Sequence, residues 1–338
     1  MLSNNMKKFE LIEFLKGYAI LTIVVYHLLN SLNYSGSITK AIQFGGTGVH
    51  AFLLVSGFGL YLSFLRKPLK YPAFLKRRLT KVYIPYIIIV LLSALLTQFI
   101  PLFKSSWYAL AGHIFLYKMF DNNIIGSYGG HFWFISTIIQ FYLIFHLLAW
   151  LKKRFSNFTF LAIGICTSLA WGIVITLLAK SELRSWNSFC LQYIWEFMLG
   201  MVLADLVFND KLKYKTQNWH FLLLSVFCLP AYALLALKAG NIGKVFNDIP
   251  ALLGYLAIAV FIYNLKLKPL NKFLLHTSQI SYAFFLIHIL INTLIINISH
   301  SIQLPVTPLT IIISFLISYA LSHFFNLFFK KIFTLIKS

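Results

Sequence analysis

The stretch Lys16-Gly-Tyr-Ala-Ile-Leu-Thr-Ile-Val-Val-Tyr-His27 carries two ionisable side chains at the ends of an otherwise apolar run. Eleven residues at about 100° each return to within roughly 20° of the starting direction, so in a helix Lys16 and His27 project from one stripe, about 16 Å apart along the axis. Ionisable groups are costly in hydrocarbon and normally face a bundle interior, a cavity or a partner. The pair therefore predicts a functional site in the first membrane span.

The composition indicates that the whole chain is an integral membrane protein. Of its 338 residues, 59% are hydrophobic and 11% are charged, and the mean hydropathy is +0.80. A soluble protein of this length would need more polar surface. The net charge of +21 is carried by short basic clusters between long apolar runs. That distribution is typical of membrane topology, and we expect no nucleic acid among the partners.

Runs of about 20 apolar residues predict an all-α polytopic fold of about ten transmembrane helices. A further apolar stretch, residues 107–119, is too short to cross comfortably, so we expect a re-entrant or interfacial helix there. We predict one transmembrane domain over residues 1–338, with no appended soluble domain. The ten predicted spans lie near residues 9–31, 45–65, 82–100, 131–151, 159–179, 188–208, 219–238, 248–266, 278–298 and 307–330.

The positions of lysine and arginine predict the orientation of these spans. In the ten-span topology, 22 of the 29 basic residues lie on the side of the two termini. Cytoplasmic loops carry the excess of basic residues in membrane proteins. We therefore expect both termini in the cytoplasm and a multi-pass protein of the cytoplasmic (inner) membrane.

Five motifs follow one another over nearly the whole chain, and together they resemble the membrane-bound acyltransferase family 3. Each is a weak signal alone, but five in order are fairly specific. They are Glu13-Phe-Leu-Lys-Gly17 with Val25-Tyr26-His27, Gly48-Val-His-Ala-Phe-Leu-Leu-Val-Ser-Gly-Phe58, Arg77-Arg-Leu-Thr-Lys-Val-Tyr-Ile-Pro-Tyr86, His131-Phe-Trp-Phe-Ile-Ser-Thr-Ile-Ile-Gln-Phe-Tyr142 and Ile280-Ser-Tyr-Ala-Phe-Phe-Leu-Ile-His288.

The resemblance implies transfer of an acyl group, most often acetyl from acetyl-CoA, to a hydroxyl of a carbohydrate at or beyond the cytoplasmic membrane. The expected partners are acyl-CoA, a glycan or lipid-linked sugar acceptor and membrane lipids, with a homo-oligomer as a further option and no metal. His27 would act as a general base or as an acyl carrier, and the sequence leaves both routes open. The phosphates of the donor would lie where basic side chains collect, at Lys16, Arg77, Arg78 and Lys81.

The chain departs from the family pattern at several positions. Lys16 stands where an arginine is usual, which keeps the charge but loses the bidentate fork that suits phosphate. His50 occupies a position where many members have aspartate, and Ile138 and Ile139 replace a pair of glutamates. These departures bear on the acceptor site more than on the type of reaction.

Each candidate residue also has a structural interpretation. Lys16 could extend to the interface without a ligand, and Arg77 and Arg78 could only orient the spans. His50, His131 and Trp133 are candidate acceptor-binding residues, but histidine and tryptophan at span ends also serve as interface anchors. His288 could be a satisfied histidine between helices.

Glu196 is the one acidic residue predicted deep in a span. We expect it to pair with a histidine or lysine, either as a structural pair or as a second catalytic group beside His27.

Two other functions remain open at this stage. A carrier or polysaccharide exporter would use the intramembrane His, Lys and Glu residues to relay protons or to hold a passing sugar. Such a carrier should show paired broken helices, and Gly45-Gly46-Thr-Gly48 is one candidate break without an evident counterpart. The other option is a non-catalytic membrane partner of a synthase.

Overall fold

The computed structural model of the protein describes residues 2–36, 38–39, 42, 44–212 and 217–335, with side chains described within 9–334. Four 3₁₀ turns connect its helices: Phe44–Thr47, Tyr117–Phe120, Gly130–Phe132 and Cys190–Tyr193. The helices are α1 (Leu2–Asn30), α2 (Gly48–Arg66), α3 (Tyr71–Phe99), α4 (Trp107–Ile114), α5 (Trp133–Arg154), α6 (Asn157–Leu177), α7 (Arg184–Asn187), α8 (Ile194–Phe208), α9 (Asn218–Lys238), α10 (Gly240–Phe246), α11 (Asp248–Asn264), α12 (Lys268–Ser301) and α13 (Pro308–Leu335).

Helical segments match all ten predicted spans. Within the described ranges, nine helices are long and apolar enough to cross a membrane, and α10 with α11 adds a tenth if this pair, bent by 63°, is counted as one span. The predicted all-α polytopic class is therefore confirmed. The orientation of the termini stays a prediction, and Lys40, Lys213, Lys215 and Lys337, which entered the count of basic residues, lie outside the described residues.

Two helices begin well before the spans that the hydropathy predicts. The helix of the third span, α3, begins at Tyr71, and the helix of the ninth span, α12, begins at Lys268. Both starts have a proline in the first turn, which suits a helix N-terminus. Lysine and arginine are good helix formers, so basic residues that end a hydrophobic run need not end a helix. Arg77, Arg78 and Lys81 consequently lie on a rigid helix rather than in a loop.

The eleventh apolar stretch does not form a span. Only Trp107–Ile114 is helical, and its 8 residues make a rod of about 12 Å, too short to cross hydrocarbon. Ser106 caps this helix by accepting a hydrogen bond of 3.0 Å from the backbone N–H of Ala109. The expectation of a short helix over residues 107–119 thus agrees with the structure.

The helices divide into an inner group and an outer group. In the most apolar part of each span, 67% of the α8 residues are buried but only 6% of the α9 residues. The spans of α2, α5 and α12 are also more than half buried, whereas those of α6 and α13 are mostly exposed. Candidate catalytic side chains on the inner helices therefore face protein rather than lipid.

Glycines bring the inner helices into close contact. A Cβ at Gly57 would overlap the carbonyl oxygen of Phe197, and a Cβ at Gly200 would overlap that of Leu54, so α2 and α8 cross backbone to backbone. Gly17 lies equally close to Leu274, which joins α1 to α12. Small residues permit such approaches between spans. The Ser-Gly-Phe stretch of the second span is therefore an element of helix packing.

Contacts along α1 and α12 show that these two helices run in the same direction. Ser278 donates a hydrogen bond of 2.7 Å to Glu13 near their first halves, and Asn292 donates one of 2.7 Å to Ser31 near their far ends. Because consecutive spans alternate in direction, the start of α3 lies at the end of the bundle near Glu13. Residues 178–193 and 239–247 lie at the opposite end.

Candidate active site

Three histidines from separate parts of the chain meet in the bundle. His27 lies near the end of α1, His131 lies in the turn before α5, and His288 lies in the middle of α12. The ring of His27 is 5.1 Å from that of His288 and 6.1 Å from that of His131, and the latter two rings are 4.9 Å apart. His288 is fully buried and His131 is 4% exposed, whereas His27 is half-buried.

The hydrogen bonds of His288 define the tautomer of His27. His288 Nδ1 lies 2.9 Å from the carbonyl oxygen of Phe284, which can only accept, so the proton of a neutral His288 is on Nδ1. His288 Nε2 is then an acceptor, and its partner at 3.1 Å is His27 Nδ1. His27 must therefore carry its own proton on Nδ1. The lone pair of His27 Nε2 is left available as a base or nucleophile.

A glycine allows His131 to take its place in this cluster. Gly129 has φ +132°, and a Cβ there would lie 2.7 Å from His131 Cε1. The ring of Phe285 covers His131 with a centroid distance of 5.0 Å. Any larger residue at position 129 would both strain the backbone and push the imidazole away.

Glu196 belongs to a second cluster of ionisable side chains. Its Oε1 is 2.6 Å from His50 Nδ1, so it does pair with a histidine, as its depth in the span predicted. Asp248 Oδ1 lies 3.9 Å from His50 Nε2, beyond hydrogen-bond distance. Within the described part of the chain, no hydrogen bond or ion pair joins Glu196 to His27. The two residues predicted as catalytic thus lie in different clusters.

The His50 cluster fits an imidazole between two carboxylates better than a metal site. Ligand atoms of His50, Glu196 and Asp248 lie within 4.8 Å of one another, close enough to suggest an ion. A histidine binds a metal through one nitrogen and uses the other for a hydrogen bond. Here the two nitrogens face different carboxylates. The bond of 2.6 Å to Glu196 occupies the Nδ1 of His50, so the structure shows a hydrogen-bonded His–Glu pair at this position.

Aromatic rings connect the two clusters. Trp133, two residues after His131, stacks on Tyr193 with a centroid distance of 6.1 Å. The other neighbour of Tyr193 is the ring of His50, at 5.7 Å. The guanidinium of Arg184 lies 5.1 Å from the centroid of the Trp133 ring, a cation–π contact. Trp133 is therefore an interior contact between the clusters.

A large cavity begins at a cluster of basic side chains. It has a volume of about 770 Å³ and continues between α1, α2, α3, α5 and α12 along apolar side chains. Arg78 Nε is buried and has no hydrogen-bond partner among the described residues. Lys16 Nζ is 3.3 Å from Glu13 Oε2, which neutralises part of its charge. The basic lining residues are Lys16, Arg66, Arg77, Arg78 and Lys81.

The other end of this cavity, which we call the cationic channel, approaches His27. Ile23, one helical turn before His27, lines the channel, and so do Phe134 and Phe285. The rings of these two phenylalanines are 5.6 Å apart, and Phe285 also contacts the His131 ring. Phe285 thus lies between the channel and two of the histidines, His131 and His288, and Phe134 packs beside it; we call these two rings the phenyl wall.

Lys118 is buried beside the histidine cluster without an acidic partner among the described residues. Its side chain is 0% exposed, and its Nζ lies 5.7 Å from the ring centroid of Tyr86 and 5.5 Å from that of Phe132. Burial lowers the pKa of this amine well below its usual value. Next to it, burial and then the charge of Lys118 lower the pKa of His113 to about 2. Burial therefore disfavours a positive charge on both side chains.

Two residues of the candidate site, His288 and Arg66, were not predicted from the sequence to be functional. His288 was weighed as a structural histidine, although its place in the last of the five motifs was a signal. Arg66 was counted only as a topological charge, yet it lines the cationic channel. Glu196 pairs with a histidine as expected, and that histidine is His50, because the crossing of α2 and α8 faces Glu196 toward α2; its catalytic role stays a prediction.

A family model described as an acyltransferase domain matches residues 9–323. The match includes all three histidines, the His50 cluster and the basic end of the cationic channel. No curated protein and no solved structure matches the chain significantly.

Proposed function

Because the chain belongs to the acyltransferase 3 family, we propose that it moves an acyl group from cytoplasmic acyl-CoA to a hydroxyl of an extracytoplasmic or lipid-linked carbohydrate. Acetyl is the expected acyl group, and the cytoplasmic (inner) membrane is the expected location. The observation that carries this proposal is the cationic channel, which extends from five basic side chains to within one helical turn of His27.

The basic end of the channel suits the nucleotide of acetyl-CoA, the expected acyl donor. Arg77, Arg78 and Lys81 follow one another on α3 at spacings that place at least two of them on neighbouring faces. The unpartnered Nε of Arg78 would donate a charge-assisted hydrogen bond to a phosphate oxygen. Lys16, one span away, would contribute a point charge while Glu13 orients it.

The apolar part of the channel suits the pantetheine arm. Its volume, about 770 Å³ in all, lies within the range of roughly 300–1,000 Å³ typical of small-molecule sites. The thioester would then lie near Phe134 and Phe285. A rotation of either phenyl ring would open a path along which the thioester carbon could reach His27.

In the direct route, His27 acts as a general base. Its Nε2 takes the proton of the acceptor hydroxyl while the hydroxyl oxygen attacks the thioester carbon. The carbon–sulfur bond breaks, and the thiolate of CoA receives the proton from His27. His288 stabilises the intermediate imidazolium by accepting the hydrogen bond from Nδ1.

In the carrier route, His27 Nε2 attacks the thioester carbon itself. The carbon–sulfur bond breaks, CoA leaves as the thiolate, and the acyl group remains on Nε2 of an imidazolium that keeps its proton on Nδ1. The acceptor hydroxyl then attacks the acyl carbon, and the bond to Nε2 breaks. The proton that the hydroxyl releases to water balances the one that the CoA thiolate takes from water, so His27 returns to its first state. CoA and acceptor need never be bound together on this route.

The remaining predicted residues have proposed roles near the acceptor. His131 packs beside His27 and narrows the approach to it, and Trp133 offers an aromatic surface. Glu196 orients His50 through the bond of 2.6 Å. We propose that this dyad contacts the acceptor rather than the thioester, because it lies beyond Tyr193 and Trp133.

The experiment is to incubate the detergent-purified protein with acetyl-CoA labelled in the acetyl group and to follow labelled product and free CoA thiol. Wild type is compared with His27→Ala and Lys16→Ala, and with His220→Ala as a matched control, since His220 is an exposed histidine at the start of α9. Removing a general base typically lowers the rate 10²–10⁴-fold.

We expect His27→Ala to lose label transfer while His220→Ala keeps it, and Lys16→Ala to raise the KM for acetyl-CoA. Mass spectrometry of acid-quenched protein separates the two routes, because only the carrier route leaves an acetyl group on His27. If wild type neither binds nor consumes acetyl-CoA, the proposal is wrong and an exporter becomes the better hypothesis.

A further inference from the structure

A second cavity lies at the end of the bundle opposite the basic end of the cationic channel. It has a volume of about 260 Å³ and is formed by residues 181–193, after α6, and 241–248, after α9. We propose that this outer cavity binds one uncharged sugar ring of the acyl acceptor. The proposal rests on the proposed function and adds to it the position and the charge of the acceptor.

Opposite charges are balanced around the outer cavity. Arg184 and Lys244 contribute two positive charges, and Glu182 and Asp248 contribute two negative ones. Arg184, Glu182 and Lys244 form an exposed rim, whereas Asp248 lies on the buried floor. A site for a phosphate or a uronic acid would carry a clear excess of positive charge, as the cationic channel does. This cavity instead suits a ligand with many hydroxyls and no charge.

The floor of the cavity offers hydrogen-bond acceptors to such a ligand. Gln192 donates through Nε2 to the carbonyl oxygen of Val245, at 2.7 Å, and to Asp248 Oδ2, at 2.6 Å. These two bonds fix the orientation of the amide. Gln192 Oε1 has no partner among the described residues, although Gln192 is only 3% exposed. Gln192 lines the outer cavity, so a small shift of its amide would let this oxygen accept a hydrogen bond from a sugar hydroxyl or acetamido N–H group.

The wall of the cavity provides both an aromatic surface and further polar groups. Tyr193 lines it and is held in place by a hydrogen bond of 3.2 Å from its hydroxyl to the carbonyl oxygen of Asn187. Asn241 donates to Glu182 at 3.0 Å across the rim. Amides, carboxylates and one phenol ring therefore surround the space, a set that can match the alternating donors and acceptors of a sugar.

A series of side-chain contacts joins the outer cavity to the histidine cluster. Tyr193 stacks on Trp133, which belongs to the same turn of chain as His131. Asp248 on the floor faces His50, and His50 is bonded to Glu196. A sugar ring bound here would have one edge toward His50 and its neighbouring unit directed toward the histidine cluster.

The size of the cavity limits what it can hold. Its volume of about 260 Å³ is below the roughly 300–1,000 Å³ that encloses a drug-sized ligand. One ring of a glycan fits, whereas the rest of the chain would extend past the exposed rim. This geometry suits recognition of a terminal or branching unit.

The test measures protection of a cysteine placed in the cavity. Asn241→Cys is reacted with a hydrophilic maleimide, and the adduct at residue 241 is measured by peptide mass spectrometry. Because this measurement is specific to residue 241, the three native cysteines need not be replaced. Ser105→Cys, exposed in the loop before α4, is the control position at the same end of the bundle. The probes are N-acetylglucosamine, which is neutral, glucosamine, which is cationic, and glucuronate, which is anionic.

We expect N-acetylglucosamine to slow labelling at residue 241 hyperbolically, to about one third of the starting rate at twice its Kd, since two thirds of the sites are then occupied. Labelling at residue 105 should not change. Adding Gln192→Ala should raise the Kd for protection by N-acetylglucosamine at least about threefold. Equal slowing at both positions, or equal protection by all three probes, would overturn the proposal.

A surface variant tests the charge argument without disturbing the buried floor. Lys244→Glu gives the cavity an excess of negative charge, so glucosamine should then protect better than N-acetylglucosamine. An unchanged order of the probes would refute the argument. None of these measurements requires turnover, so failure of acetyl transfer would reject the proposed function while protection at residue 241 would still support the sugar site.

Discussion

Replacing His288 should impair catalysis without weakening the binding of acyl-CoA. His288 does not line the cationic channel, but its Nε2 accepts the hydrogen bond from His27 Nδ1 at 3.1 Å. In His288→Leu this acceptor is lost, and the proton of His27 is free to move to Nε2, where it blocks the lone pair that reacts. We therefore expect kcat to fall while the KM for acyl-CoA stays within about twofold.

The magnitude follows from the one bond that is removed. A hydrogen bond between neutral groups contributes about 0.5–1.5 kcal/mol net, and an unsatisfied buried N–H costs about 1–3 kcal/mol. Together these ranges span about 1.5–4.5 kcal/mol. Because His27 is only half-buried, water can partly satisfy its freed N–H, and we expect the lower part of the range, a 10- to 100-fold fall in kcat, since about 1.4 kcal/mol is tenfold. The effect should be smaller than that of His27→Ala, which removes the reacting nitrogen itself.

A rescue variant separates this role from a general loss of stability. In His288→Gln, the amide N–H₂ can donate to the carbonyl oxygen of Phe284, and the amide oxygen can accept from His27 Nδ1. We expect His288→Gln to recover kcat to within about tenfold of wild type. His276→Leu is the control, because His276 also lies on α12 but is hydrogen-bonded to Tyr319 instead.

The assay is release of CoA thiol at saturating donor, with N-acetylglucosamine as the acceptor probe. Nitrogen-15 NMR of histidine-labelled protein supplies a second measurement, in which His27 should be protonated at Nδ1 in wild type and in His288→Gln. Wild-type kcat in His288→Leu, or equal damage in the Leu and Gln variants, would refute the assignment of the tautomers.

Three further changes have defined expected outcomes. Arg78→Ala should raise the KM for acetyl-CoA about tenfold but leave that for acetyl-pantetheine unchanged, because only the nucleotide carries the phosphates. Lys76→Ala, two residues before Arg78 and outside the channel, should leave both KM values unchanged. Phe285→Ala should open the inner end of the channel, so that butyryl-CoA gains on acetyl-CoA in kcat/KM; no gain would mean that this ring does not limit acyl length. The free energy of unfolding should fall by about 2–3 kcal/mol between pH 7 and pH 4.5, because the pKa of His113 is lowered to about 2 in the folded protein and the unfolded chain, with a pKa near 6.5, takes up the proton first. His113→Gln, which can still bond to Tyr86, should flatten this part of the pH profile in thermal unfolding, and a profile as steep as that of wild type would contradict the assignment.

Much of the fold was predictable because hydrophobic length is a local property. A run of about 20 apolar residues needs no partner to be recognised, so the spans were found and mainly their ends were misplaced. α3 extends back to Tyr71 because basic residues end a hydrophobic run without ending a helix. Asn247-Asp-Ile-Pro250 marks the start of α11 locally, but the angle of 63° between α10 and α11 has no local signal, because it depends on how both helices pack against α9.

The site was predictable in its chemistry but not in its pairings. The stripe that joins Lys16 to His27 follows from helix geometry alone. The partner of Glu196 depends on the crossing of α2 with α8, which is set by Gly57 and Gly200 together. His288 lies 261 positions from His27 along the chain, and nothing in either local sequence shows that their rings meet.

The phenyl wall of Phe134 and Phe285 also bears on the energy supply of the cell. Under the proposed function, the protein would take one substrate from each face of a membrane, and a continuous water-filled path between the two sites would let protons run down their gradient. Two apolar rings beside the histidines interrupt such a path while leaving room for an acyl group to pass when one ring turns. Small side chains at these two positions would therefore endanger the membrane potential as well as the chemistry.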